Sequence, residues 1–176
     1  KYNDLNAAAS CKICLTGKYN NQNRRTSETE CTPCGIGRYN GQNARPAESD
    51  CSDCAKGKYN DLNAAASCKI CLTGKINIFT GKTSASFCLF CAVGKKFVSK
   101  TVECAICGTG MYQDQNTAAS VACTPCATGK WSVATQAISA TTCAFCAVGK
   151  KFVSKTAECA ICGTGMYQDQ NTAASV

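Results

Sequence analysis

Nine large apolar side chains lie at intervals of 15 to 21 residues along this chain, and polar residues are frequent between them. Each of them follows a glycine by two or three positions, as in Gly17-Lys18-Tyr19. One ring per interval, lying over the neighbouring sulfurs, predicts a series of thin units rather than a thick core. The nine positions are Tyr19, Tyr39, Tyr59, Ile76, Phe97, Tyr112, Trp131, Phe152 and Tyr167.

This pattern predicts little regular secondary structure. Runs such as 18–20 and 96–98 are suited to strands of two to four residues. Alanine runs at 7–9 and 118–119 predict single helical turns. Spacers rich in Asn, Gln and Asp predict turns, at 20–23, 40–43 and 113–116.

A Cys-x-x-Cys pair precedes each apolar position, and a glycine always follows the second cysteine by three residues. Glycine alone adopts a positive φ without steric cost, so the spacing predicts a tight turn after every pair. The pairs are Cys11/Cys14, Cys31/Cys34, Cys51/Cys54, Cys68/Cys71, Cys88/Cys91, Cys104/Cys107, Cys123/Cys126, Cys143/Cys146 and Cys159/Cys162.

The pairs mark an internal repeat of 16 to 20 residues. Residues 91–121 recur at 146–176 with the single change of Val102 to Ala157. Repeats of this length are typical of proteins in which each unit contacts chiefly its neighbours. We therefore expect residues 1–176 to form one continuous cysteine-rich array, which is a window of a longer protein.

Composition argues against an ordinary hydrophobic core. Leu, Ile, Val and Phe together make 27 of 176 residues, a share at which chains tend to stay unfolded unless something else holds them. Cysteine supplies the alternative, because 18 cysteines in 176 residues is the density of disulfide scaffolds. Such scaffolds are products of oxidising compartments, which predicts an extracellular or cell-surface location.

Two chemistries use Cys-x-x-Cys pairs at this spacing. Two pairs can supply four thiolates to a tetrahedral zinc ion, or the cysteines can form disulfides. Nine pairs do not divide into whole four-cysteine sites, and the chain contains no histidine. Disulfides are therefore favoured over a zinc array, and no metal or cofactor is expected.

The stretch Cys14-Leu15-Thr16-Gly17-Lys18-Tyr19, followed by Cys31, resembles the first module of tumour necrosis factor receptor-type cysteine-rich domains. Its tandem form is similar to the ephrin-receptor-like cysteine-rich repeats of many secreted and surface proteins. In the receptor-type module, the cysteine before x-x-Gly closes onto the next cysteine. The resemblance therefore implies the pairs Cys14–Cys31, Cys34–Cys51, Cys54–Cys68, Cys71–Cys88, Cys91–Cys104, Cys107–Cys123, Cys126–Cys143 and Cys146–Cys159.

This pairing leaves Cys11 and Cys162 without partners inside the window. We call each disulfide-closed loop a rung and number the rungs one to eight: 14–31, 34–51, 54–68, 71–88, 91–104, 107–123, 126–143 and 146–159. Each loop of 13 to 17 residues contributes roughly 3 kcal/mol in the chain-entropy model. A rival pattern, Cys11 with Cys31 and Cys14 with Cys34, stays open, although it leaves one of the nine pairs without a mate.

The expected fold is a small disulfide-rich one: an elongated ladder of about nine short rungs with minimal β structure and no central hydrophobic core. A rise of roughly 10 Å for three extended residues per rung would give a rod on the order of 90 Å. Two rungs depart from the pattern, because Phe97 and Phe152 lie one position late. A one-residue slip reverses the face of a strand, so these rings are expected to point differently.

Nothing in the sequence indicates an enzyme. General acid–base catalysis at neutral pH usually employs histidine, and there is none. The carboxylates Glu48, Asp50 and Asp53 lack calcium-loop spacing.

The formal charge of +8 comes from basic residues scattered along the chain, which indicates a solvated surface rather than a nucleic-acid site. No run approaches the roughly 20 apolar residues of a membrane span.

The leading functional hypothesis is an extracellular structural protein, a disulfide-laddered rod that builds or decorates a filament, stalk or surface coat such as a flagellar hair. Near-identical copies suit a lattice that repeats one contact many times. The expected partners are copies of this chain or other filament subunits, with O-linked glycans on exposed Ser and Thr. The alternative is an adhesion or receptor ectodomain that binds a ligand along the rod, and a discharged secretory protein is a third hypothesis.

Overall fold

The computed structural model describes residues 11–117 and 122–171. The helical turns predicted at 7–9 and 118–119 lie outside these residues. The described chain forms eight two-stranded antiparallel sheets, each made of two-residue strands. In chain order the sheets are β1 (Lys18–Tyr19) with β2 (Thr32–Pro33), β3 (Arg38–Tyr39) with β4 (Ser52–Asp53), β5 (Lys58–Tyr59) with β6 (Lys69–Ile70), β7 (Lys75–Ile76) with β8 (Leu89–Phe90), β9 (Lys95–Lys96) with β10 (Ala105–Ile106), β11 (Met111–Tyr112) with β12 (Thr124–Pro125), β13 (Lys130–Trp131) with β14 (Ala144–Phe145), and β15 (Lys150–Lys151) with β16 (Ala160–Ile161).

Each sheet arises from the repeated signature. The two residues after the signature glycine pair with the two residues inside the next Cys-x-x-Cys, as Lys58 does with Ile70. The glycine makes the turn before the strand, with φ of 75° at Gly57. Its carbonyl then accepts a hydrogen bond from the second cysteine of the next pair, as Gly57 does from Cys71 at 2.9 Å. The predicted disulfide-rich ladder with minimal β structure is confirmed.

In the part of the chain that the structure describes, four rungs also contain a 3₁₀ helix of three residues, which the sequence pattern did not predict. A serine caps three of them, since Ser27, Ser84 and Ser139 each accept a hydrogen bond from the backbone N–H two residues later. Each helix ends immediately before the cysteine that closes its rung. The four helices are Glu28–Glu30, Glu48–Asp50, Ala85–Phe87 and Ala140–Thr142.

The buried side chains are almost all sulfur or amide. Most disulfide cysteines are buried, and so is the polar residue that follows the ring position in six rungs. The rings themselves are only half-buried in the described rungs, and Tyr167 is 86% exposed. Cysteine and amide groups therefore provide the burial that the sequence pattern assigned to the rings. The buried polar residues are Asn20, Asn40, Asn60, Asn77, Gln113 and Ser132.

The strand predicted at 96–98 was wrong by one residue. The strand is Lys95–Lys96, so a lysine occupies the place that Tyr or Trp takes in other rungs. Phe97 follows the strand and occupies the place of the buried asparagine. The same holds for Lys150–Lys151 and Phe152. The number of residues after the turn glycine sets the position of the strand, so the ring lies just after the strand instead of within it.

The chain divides into two compact units. The first comprises Lys1–Leu72 and Asn77–Leu89, and the second comprises Thr73–Ile76 and Phe90–Val176. The disulfides of rungs one to four join cysteines of the first unit, and those of rungs five to eight join cysteines of the second. The expectation of one continuous array stays a prediction.

Candidate functional site

The eight disulfides join the same cysteines as the pairing implied by the resemblance: Cys14–Cys31, Cys34–Cys51, Cys54–Cys68, Cys71–Cys88, Cys91–Cys104, Cys107–Cys123, Cys126–Cys143 and Cys146–Cys159. Their Cα atoms are 5.6 to 5.8 Å apart, which is the usual separation for a disulfide. Cys11 is exposed and Cys162 is half-buried, and neither forms a disulfide in the described residues. The rival pairing of Cys14 with Cys34 does not occur.

Within each unit, neighbouring rungs are joined by a recurring set of backbone hydrogen bonds, which we call a junction. Between rungs one and two, Gly17 N–H donates to Asn40 O at 2.7 Å and Asn20 N–H donates to Arg45 O at 3.0 Å. In return, Ala44 N–H donates to Cys14 O at 2.8 Å. The bonds from Gly37 to Asn60, from Asn40 to Ala65 and from Ala64 to Cys34 repeat the set one rung later.

The same backbone bonds recur in the second unit. Gly110 N–H donates to Ser132 O at 2.7 Å, and Gln113 N–H donates to Ala137 O at 3.0 Å. Gln136 N–H donates to Cys107 O at 2.7 Å. A junction therefore does not depend on which polar residue occupies the buried position.

Asparagine adds a side-chain bond to the junctions of the first unit. Asn40 Nδ2 donates to Lys18 O at 3.1 Å, Asn60 Nδ2 to Arg38 O at 2.7 Å, and Asn77 Nδ2 to Lys58 O at 2.9 Å. The same side chains accept a backbone N–H two residues later, which bends the chain after each of them, as was predicted for 40–43. One amide thus bends its own rung and binds the preceding one.

Signature glycines also contact the rung two places ahead. A Cβ on Gly17 would overlap the carbonyl oxygen of Ala64, and one on Gly110 would lie 2.7 Å from Lys155 O. By contrast, a Cβ on Gly149 would meet nothing within 4 Å. Glycine is required at the first two positions for its size as well as for its positive φ.

Among residues 11–117 and 122–171, four residues other than glycine have a positive φ: Arg24, Ala44, Ala64 and Gln136. Ala44, Ala64 and Gln136 are the residues whose N–H binds the cysteine carbonyl of the preceding rung. The left-handed conformation costs roughly 1–2 kcal/mol in a residue with a Cβ. The junction bonds hold these residues in that conformation, and no residue type in the sequence signalled it.

The carboxylates considered for a metal site bind arginine instead. Glu48 pairs with Arg38 at 3.2 Å, Asp53 with Arg38 at 3.5 Å, and Asp50 with Arg45 at 3.5 Å. In 11–117 and 122–171, no group of three or more His, Cys, Asp or Glu residues is arranged to hold a metal ion. The absence of an enzyme site and of a cofactor stays a prediction.

Two carboxylates have pKa values shifted by their partners. The pKa of Glu30 lies below its ordinary value, chiefly because the N–H groups of Ser27 and Thr26 donate to it. A hydrogen bond from Lys69 lowers the pKa of Asp61 and raises that of Lys69. Both carboxylates stabilise their rungs in the ionised form, and neither pKa is shifted upward, as a general acid would require.

No helix in the part of the chain that the structure describes has the length and apolar character needed to cross a membrane. Comparison with protein-family models and with curated proteins finds no match to this chain. The likeness to receptor-type and ephrin-receptor-like repeats therefore stays a resemblance of pattern. The many disulfides are typical of an extracellular or secreted protein.

Proposed function

We propose that this protein is an extracellular structural protein, a disulfide-laddered rod that builds or decorates a filament, stalk or surface coat. The observation that carries the proposal is the junction. The same three backbone bonds link Gly17 to Asn40, Asn20 to Arg45 and Ala44 to Cys14, and their counterparts recur in both units. A chain that repeats one contact so closely suits a material whose role is mechanical and periodic.

Covalent and non-covalent bonds divide the load in this proposal. Each disulfide closes one rung, and within each unit the junction bonds connect neighbouring rungs. The two residues between paired cysteines are the only covalent connection between neighbouring rungs, and they are also a strand. Under tension the junction hydrogen bonds would therefore separate first, because they are weaker than the covalent path, while the disulfides keep each rung closed.

Expected partners are further copies of this chain or other filament subunits. Exposed apolar residues occur inside or just after the Cys-x-x-Cys pairs, including Ile70, Leu72, Leu89, Ile106 and Ile161. Contact between such surfaces of neighbouring molecules would bury them, and an open heterologous contact extends into a fibre. A flagellar hair is one example of such an assembly.

Electron microscopy of the native material tests this proposal. Fibres or coats that bind antibodies against the chain, with its cysteines oxidised in non-reducing peptide mapping, are the expected result. Isolated rods with saturable affinity for one ligand would contradict it and favour an adhesion or receptor ectodomain.

An open groove lined by Phe97, Val98 and Met111 is the feature that favours this second candidate. Binding lost on Met111→Lys but kept on Met166→Lys would support it.

A further inference from the structure

Pairs of hydroxyl groups, two residues apart, occur at corresponding places in several rungs. In four pairs the first residue is serine and the second is threonine, and the two oxygens are 2.8 to 3.3 Å apart. The threonine of every pair lies two or three residues before the cysteine that closes its rung. The pairs are Ser27/Thr29, Ser99/Thr101, Ser139/Thr141 and Ser154/Thr156.

The two hydroxyls of a pair, which we call the inner serine and the outer threonine, have different roles. Each inner serine is half-buried and accepts a hydrogen bond from the backbone N–H of the threonine, at 3.2 Å for Ser27 and 3.4 Å for Ser99. Each outer threonine is exposed, and its hydroxyl contacts only the inner serine among the described residues. The fold therefore uses the inner hydroxyl and leaves the outer one at the surface.

The second rung shows that the fold can form without the hydroxyl pair. Ala47 stands in the inner position there, and the 3₁₀ helix Glu48–Asp50 forms without a side-chain cap of that kind. Asp50 Oδ2 accepts the N–H of Ala47 at 3.0 Å, as Glu30 Oε2 accepts that of Ser27 at 3.1 Å in the first rung. An outer hydroxyl that recurs at the surface of both units without binding the backbone is available for chemistry from outside.

We infer that Thr29, Thr101, Thr141 and Thr156 are attachment sites for O-linked sugars, an inference that rests on the proposed extracellular function. A glycosyltransferase would join threonine Oγ1 to the anomeric carbon of a sugar carried on a nucleoside diphosphate. The bond from that carbon to the diphosphate breaks, and the diphosphate leaves with the bonding electron pair. The hydroxyl proton passes to a base of the transferase.

The hydrogen bonds of each pair are compatible with this product. A glycosylated Oγ1 has lost its proton but still accepts, and the inner serine can donate to it while accepting the backbone N–H. Ser86 differs, because its hydroxyl donates to Ser84 at 3.1 Å and glycosylation would abolish that bond. The inference therefore covers the four threonines and excludes Ser86.

Secretion of the chain from a eukaryotic cell, followed by non-reducing peptide mapping with mass spectrometry, tests the inference. Sugar masses on the four threonine sites, and none on the inner serines or Ser86, are the expected result. The variant T29V/T101V/T141V/T156V should lose those masses yet keep all eight disulfides. The matched variant S27A/S99A/S139A/S154A should keep the sugars and melt at a lower temperature, because its backbone caps are gone.

Unmodified threonines on a secreted chain with eight disulfides would overturn the inference and leave the proposed function intact. Sugar chiefly on the inner serines, or full sugar mass on the fourfold threonine variant, would also overturn it. Free thiols throughout the secreted chain would instead contradict the proposed function, and the glycan assignment would fall with it.

Discussion

The junctions of the first unit and those of the second share their backbone hydrogen bonds but differ in their side chains. Asn40, Asn60 and Asn77 each donate to a carbonyl of the preceding rung. Gln113 and Ser132 stand at the same place in the second unit, and the buried Nε2 of Gln113 has no partner there. The backbone therefore defines the junction, and asparagine adds a bond that the other residues do not replace.

Exposed charges take part in two kinds of contact. Ion pairs of the first unit include Lys18 with Glu28 and Lys69 with Asp61. Lysines also lie over aromatic rings, Lys82 over Phe79 at 4.6 Å in the first unit and Lys130 over Phe145 at 4.8 Å in the second. Exposed ion pairs contribute about 0–1 kcal/mol each. Contacts of this kind change the surface far more than the stability, so both units can keep the same backbone hydrogen bonds.

The largest effect is expected from the size of a signature glycine. Gly17→Ala should destabilise the protein by more than about 3 kcal/mol, because the new Cβ would overlap Ala64 O. Gly149→Ala has a similar positive φ and free space, so it should cost only about 1–2 kcal/mol. Denaturant unfolding of both variants measures the difference, and equal losses would mean that φ alone matters.

Removing a disulfide should have the next largest effect, equal in the two units. Cys34–Cys51 and Cys126–Cys143 both span 17 residues, so each double alanine variant should lose roughly 3 kcal/mol. Free energies of unfolding provide the test. A smaller loss at the second rung would show that its asparagine bonds hold the loop without the covalent link.

The buried amide should matter more than its counterpart in the second unit. Asn60→Ala removes donors to Arg38 O and Leu62 O, and should cost about 2 kcal/mol. Ser132→Ala removes one bond from Ala134 N–H, and should cost about 1 kcal/mol or less. Melting temperatures of the two variants compare the junctions directly, and a larger loss at Ser132 would reverse the proposed ranking.

The smallest effect is expected on the stability of the protein at low pH. The pKa of Glu30 is lowered in the folded chain from an ordinary 4.5, so its contribution is present above that pH and is lost as the pH falls through the lowered value. Glu30→Gln should make the melting temperature less dependent on pH between about 5 and 3. Glu28→Gln, which removes an exposed ion pair with Lys18, is the control. Identical pH profiles for wild type and Glu30→Gln would refute the linkage.

Much of the ladder could be predicted because its signature is local. The count from cysteine to glycine predicted the turn, and the loop lengths made small disulfide-closed rungs the reasonable fold. The pairing came from a resemblance of pattern, since cysteine counting alone left rivals open. The contact of Gly17 with Ala64 could not be predicted, because it joins rungs that only folding brings together.

Two predictions about side chains failed for physical reasons. The ring was predicted to supply most of the buried apolar surface. The buried side chain is an amide instead, because its two donors and one acceptor satisfy more of the backbone groups at a junction. The run 96–98 was predicted to be a strand that includes Phe97, but the turn at Gly94 fixes the strand at Lys95–Lys96 and leaves Phe97 beyond it. Hydrophobic spacing cannot report a one-residue register when both choices are partly exposed.

By itself, the sequence determined that this chain would fold as small rungs, because cysteine spacing and turn glycines act over a few residues and leave little material for a core. Only the tertiary structure decided how the rungs meet. It decides which carbonyls accept hydrogen bonds, at which positions only glycine fits and which residues take a left-handed backbone. All three depend on atoms about 20 to 47 residues apart. Those atoms become neighbours only after the rungs have formed.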